Sequence, residues 1–90
     1  MPQSLATKFG IRQADDPSVP QRRVQVGAHG ETEFEVAVAY SASADCFAAH
    51  AYVLNAQRQK TRLGVDPLYA DDERSAFTRA WAVIDHWLSK

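Results

Sequence analysis

Apolar and polar positions alternate through RRVQVGAHGETEFEVAVAY, residues 22–40, on both sides of a glycine-containing centre. Successive side chains of an extended strand point to opposite faces, so this pattern predicts a β-hairpin over 22–40. The register depends on where the turn is placed. A two-residue loop at His29-Gly30 sets Val24 and Val26 opposite Glu35 and Glu33, which mixes apolar and charged positions on one face. A three-residue loop, Ala28-His29-Gly30, instead pairs Val24 with Phe34 and Val26 with Thr32 on one face, and Arg23 with Glu35 and Gln25 with Glu33 on the other. It also gives Gly30 the left-handed position that closes such a loop. A slip of one residue exchanges the faces, so the three-residue loop is expected. Phe34, Val36, Val38 and Tyr40 then form the core edge of the second strand.

The period changes in DDERSAFTRAWAVIDHWLSK. Phe77, Ala80, Trp81, Ile84 and Leu88 fall at i, i+3, i+4, i+7 spacing, with Ala76, Val83 and Trp87 widening the stripe and Arg74, Ser75, Thr78, Arg79, Asp85 and His86 opposite it. This spacing predicts an amphipathic helix over 72–89. Asp71 or Asp72 is placed to cap its start, and His86 and Lys90 suit the negative end of its dipole. Trp81 and Trp87 lie about 240° apart around such a helix, so both cannot enter one narrow core, and Trp87 is expected to stay partly exposed.

Residues 43–65 admit two readings. As helix, the stretch starts at Ser43 and stops at Gly64. As strands, CFAAHAYVL and KTRLGV form a second hairpin, with Thr61, Leu63 and Val65 inward and Lys60 and Arg62 outward. Strands are favoured: AYVL is rich in strand-forming residues, KTRLGV alternates cleanly, and a lone hairpin offers the final helix too narrow a surface. Residues 1–20 read as a mobile arm or an edge strand. TKFGIR alternates, and Pro17 and Pro20 mark the following loop. The pattern predicts a single small α+β domain over 1–90: an antiparallel β-meander of three to four strands with the C-terminal amphipathic helix packed on one face.

Composition narrows the possible functions. The chain has 90 residues and is 46% hydrophobic, but fifteen of those positions are alanine, so few large side chains build the core. Its net charge of −1 provides no overall field to draw it to nucleic acid or an anionic membrane. One cysteine among 90 residues excludes an internal disulfide and suits a reducing compartment. No apolar run approaches the roughly 20 residues of a membrane span, and the first ten residues lack the apolar core of a signal peptide, so a soluble, cytoplasmic protein is expected.

Three sets of residues are candidates for chemistry. Cys46 and His50, in DCFAAH, make a thiol–imidazole pair on a helix, where i, i+4 side chains meet. On a strand they stand about 13 Å apart and cannot touch. The strand reading therefore favours Cys46 as a small hydrophobe. His29, His50 and His86 show none of the spacings of known zinc motifs, so no metal or other cofactor is expected. Arg58, Lys60 and Arg62, joined by Arg74 and Arg79 on the helix, are the candidate nucleic-acid surface. Glu31, Glu33 and Glu35 repeat at the same period, and pairing between the two stripes cancels their field.

The third candidate is a surface. The outer face of the second strand ends in Ala37, Ala39 and Ser41, which are small enough for another backbone to approach. Unless the arm covers it through Phe9 and Ile11, this strip is expected to bind another protein or a second copy of the chain, with Trp87 as a further anchor. The expected function is thus a non-enzymatic interaction module of the inhibitor, immunity-protein or adaptor type, bacterial or phage in origin by its size and alanine content. A nucleic-acid-binding regulator is the alternative, and a Cys/His thiol enzyme stands third.

Overall fold

A computed structural model describes residues 4–64 and 67–89. In chain order it contains α1 (Leu5–Phe9), β1 (Arg12–Gln13), β2 (Arg22–His29), β3 (Thr32–Ser41), β4 (Cys46–Leu54), β5 (Lys60–Arg62), β6 (Leu68–Ala70) and α2 (Glu73–Leu88). The strands form one antiparallel sheet in the order β1-β2-β3-β4-β5, and β6 pairs with β4 beside β5. The α+β class, the meander and the C-terminal helix are as the sequence predicts. The sheet is wider than the expected three to four strands because short pieces, too brief to show alternation, extend both edges. Val65 and Lys90, expected in the second hairpin and the last helical turn, lie outside the described residues.

α2 begins at Asp72, whose carboxylate accepts the Ser75 N–H at 2.7 Å and so satisfies a donor that the first turn leaves free. Its apolar stripe buries Ala76, Phe77, Ala80, Trp81 and Ile84. These pack in one core with Phe34, Val36 and Val38 of β3 and Ala49 and Ala51 of β4. Four of the contributors are alanines, which let the helix lie close to the sheet. Trp87 stays 41% exposed, with its ring edge-on to Phe34 at 5.9 Å between centroids. Residues 46–54 and 60–62 are strands, as favoured.

The hairpin register differs from expectation. His29 pairs with Thr32, leaving Gly30-Glu31 as a two-residue loop, and Gly30 takes φ 64° at its first position. Glycine at that position is what a type II′ hairpin turn requires. Val24 therefore pairs with Ala37 and Val26 with Glu35, while Gln25 meets Val36 and Gly27 meets Phe34. This register turns Val24 and Val26 away from α2 and puts Arg23, Gln25 and Gly27 toward it. Each of the three has a specific reason to face the helix. The Gln25 side-chain oxygen accepts the Trp81 indole N–H at 2.9 Å. Arg23 pairs with Asp15 at 2.9 Å and approaches Glu73 at 3.9 Å. Gly27 leaves room for Phe9 and Trp81.

Residues 5–9 are a helix rather than an edge strand. Ser4 caps α1 by accepting the Thr7 N–H, and Gly10 ends it at φ 58°. An ion pair from Lys8 to Asp85 ties α1 to α2. Phe9 is 2% exposed, tilted against Trp81 at 5.3 Å and edge-on to Phe34 at 5.9 Å. Phe9 and Ile11 thus join the core on the α2 side.

A methyl group at position 27 would sit 2.8 Å from the Phe9 carbonyl oxygen and 2.9 Å from Trp81 Cη2. Gly27→Ala is expected to cost about 2 kcal/mol through overpacking, a fall in Tm of roughly 10 °C. At Gly30 a methyl meets open space and only the positive φ penalises it, at about 1 kcal/mol. Thermal melts of the two variants check the order; a larger loss at Gly30 refutes the packing account.

Candidate interaction surface

The sheet face turned away from α2 follows from the register. Starting at the Gly30-Glu31 turn, its successive rows are Ala28-Glu33-Leu54-Lys60; Arg12-Val26-Glu35-Tyr52-Arg62; Val24-Ala37-His50; Arg22-Ala39-Ala48-Tyr69; and Ser41-Cys46. Both helices pack on the other side of the sheet, through Phe9 of α1 and Phe77, Trp81 and Ile84 of α2. Val24 and Ala37 are nevertheless buried, at 5% and 7% exposure. The face has small and aliphatic residues at its middle and arginines toward its borders, with Tyr69 46% exposed at one side.

Ala37, Ala39 and Ser41 lie on this face, as parity along β3 requires. Trp87 does not: it belongs to the helix layer on the other side of the sheet, beside Phe34. The basic candidates are divided too. Arg58 pairs with Glu33 and Lys60 with Glu35, each at 2.8 Å, and the Lys60 ammonium also stands 5.3 Å from the Tyr52 ring centre. Such exposed pairs contribute about 0–1 kcal/mol each but neutralise local charge. Arg62 faces the same way with no carboxylate at ion-pair distance among the described residues, as do Arg12 and Arg22. Arg74 and Arg79 sit on α2, across the sheet from the strand cations.

Cys46 and His50 both project from β4 onto the open face with Ala48 between them. Four residues of extended chain separate them by roughly 13 Å, so the imidazole cannot take the thiol proton. His29 lies at the turn end of β2 against the Phe9 ring at 6.1 Å, and His86 lies on the outer side of α2. Among the described residues no three His, Cys, Asp or Glu side chains converge as a metal site would require.

Residues that parity alone did not single out complete the surface: Arg12, Arg22, Val24, Val26, Tyr52, Leu54 and Tyr69. Those from β2 were hidden by the register, and Tyr69 by the shortness of β6. Arg22 and His50 flank a shallow depression of about 260 Å³ floored by Ala37, Ala39 and Ala48. Arg22 Nε and His50 Nδ1 are both shielded from solvent, and neither has a hydrogen-bond partner among the described residues. Leaving a polar atom in that state costs about 1–3 kcal/mol. Burial first, and then the Arg62 charge, hold the His50 imidazole below the usual histidine pKa.

Comparison with protein-family models, with curated proteins and with solved structures returned no match for this chain. No described helix is long and apolar enough to cross a membrane.

The His50 environment sets a pH dependence. A pKa below 6.5 in the folded state means that the unfolded chain binds the proton more tightly. The stability from keeping His50 neutral is fully present above pH 6.5 and is lost as pH falls through the lower, folded value. Tm is therefore expected to decline as pH falls below 6.5, and His50→Gln to flatten that decline. Asp15, Asp16 and Asp72 are held below 3.8 by hydrogen bonds, so their contributions fade only in more acidic solution. An unchanged slope in the variant refutes the assignment.

Proposed function

We propose that this chain is a small, non-enzymatic interaction module that binds another protein with the uncovered face of its sheet, in the manner of an inhibitor, immunity protein or adaptor of bacterial or phage origin. One observation carries this reading: helices cover only one side of the sheet, and the bare side has an apolar middle with charged borders. That arrangement matches the anatomy of protein interfaces. Three strands of eight to ten residues, widened by three of two or three, give at about 4.8 Å spacing a platform on the order of 550 Å². This is roughly two thirds of the ~800 Å² that each partner contributes to a standard interface.

Face binding is favoured over adding a strand at the edge. β1 and the Asp15 carboxylate, which accepts the Val24 N–H at 2.8 Å, occupy the outer side of β2. β5 and β6 occupy the outer side of β4. The edges left over are two or three residues long, too short for much pairing. The lone Cys46 is compatible with a cytoplasmic setting. A nucleic-acid-binding regulator is the second reading, favoured by Arg12, Arg22 and Arg62 sharing a face with Tyr52 and Tyr69, since aromatic and cationic side chains on a sheet suit unpaired bases.

Photo-cross-linkers at Ala39 and Tyr69 are expected to capture a partner protein from cell extract, while those at Arg74 and Thr78 do not. Ala39→Arg is expected to abolish capture with Tm nearly unchanged. Capture only from the helix positions refutes the proposal. Affinity for single-stranded nucleic acid that falls steeply with salt, without protein capture, favours the second reading.

A further inference from the structure

We infer that residues 4–13 form a hinged strap, which undocks from β2 and α2 as one unit while the rest of the domain stays folded, and so uncovers an aromatic hollow that the closed form hides. This stands apart from the sheet-face reading, because the strap packs on the other side of the sheet. Its backbone order is largely self-contained. Ser4 caps α1 through the Thr7 N–H, Lys8 N–H donates to the Ser4 carbonyl at 2.9 Å, and Ile11 N–H donates to the Ala6 carbonyl at 3.0 Å. A helix of five residues does not hold its shape alone in water, so α1 persists through what it packs against. That packing rests on Phe9, at 2% exposure, with Leu5 and Ile11 partly buried beside it. Among the described residues one partly exposed ion pair, Lys8 to Asp85, joins α1 to α2, and water screens such pairs. The ladder that joins β1 to β2 is two residues long, Arg12 with Val26 and Gln13 with Gln25.

The seam beside the strap is open to solvent. A groove of about 640 Å³ runs along it, with Leu5 and Ile11 on one bank and Phe77 and Trp81 on the other. Asp15 sets the hinge: its carboxylate accepts the Val24 N–H at 2.8 Å and pairs with Arg23 at 2.9 Å, which ties the chain beyond it to β2. Release strands no buried polar group. Gln25 keeps the Trp81 indole N–H, and its own amide loses only Gln13, a 2.7 Å contact at the exposed surface that water replaces. Val36, Val38, Ala49, Ala51 and Ile84 hold α2 on the sheet without the strap's help. Lifting α2 instead would expose five buried residues, so the strap opens at the lower free energy. Opening bares the Phe34 and Trp81 rings around Gly27, and the strap thus controls whether the helix side presents an apolar patch.

The test is native-state hydrogen exchange of the full chain, read by NMR at low guanidinium concentrations. The Lys8, Gly10 and Ile11 amides are expected to share one opening constant and one denaturant slope, with the constant at least about tenfold above that of Val36 and Ile84. Phe9→Leu is expected to raise the strap constant on the order of tenfold, with native signals from β3, β4 and α2. Ile84→Val is expected to raise the Val36 constant by roughly the same factor and to leave the strap amides unchanged, since their opening does not unfold the rest. Strap amides that exchange at the Val36 constant overturn the inference, because the domain then opens only as a whole. Unequal constants without a denaturant slope overturn it in favour of simple fraying, and a strap constant that rises with Ile84→Val overturns it too.

Discussion

Burying Trp81 is the constraint on which the rest of the structure depends. The indole is the largest fully buried side chain, and its N–H needs an acceptor inside the core, because an unpaired donor there offsets much of what burial contributes. Gln25 supplies that acceptor, and Gly27, two residues further along the same face of β2, supplies the space. Those two requirements fix which side of β2 faces the helix. Once Gln25 and Gly27 point inward, Val24 and Val26 must point outward. The same hollow at Gly27 seats Phe9, which draws the N-terminal helix to the α2 side. α1 and Ile11 therefore add to the core beneath α2 rather than to the opposite face.

This explains which parts of the fold were legible in the sequence. α2 was, because five large or small apolar residues repeat at helical spacing between a capping aspartate and a polar tail. The strand character of β4 was, because AYVL and its neighbours have nothing to gain from a helix once a broad sheet is needed. The hairpin register was not, because parity arguments assume that valine faces the core and polar residues face water. In β2 the polar residues facing the core are held by one indole, one aspartate and one tightly packed aromatic pair, all distant in sequence. α1 escaped notice because five residues are too few to show a helical period, and TKFGIR happens to alternate.

The surface was legible to the same degree. Ala37, Ala39 and Ser41 could be placed by parity along β3 alone, whichever way β2 was aligned. Arg22 and Val24 could not, since they reach that face only through the observed register. Trp87 stands out in the sequence by its expected exposure and Arg74 and Arg79 by their charge, and only the two-layer geometry separates them from the strand residues. Alanine content was ambiguous for a physical reason. Ala49, Ala51, Ala76 and Ala80 bring helix and sheet together inside the molecule, while Ala37, Ala39 and Ala48 leave the other face low, and composition cannot distinguish these uses.

The pairing of Phe9 with Trp81 also bears on how the chain acquires its shape. A contact between the first helix and the last has high sequence separation, whereas the β2–β3 and β3–β4 ladders join consecutive strands through short turns. The contact between the helices therefore carries the larger loop-closure entropy. Until α2 arrives, a growing polypeptide has an apolar meander with Phe34, Val36 and Val38 uncovered and no seat for Phe9. The core is therefore complete only once α2, the last element in chain order, has packed on the sheet.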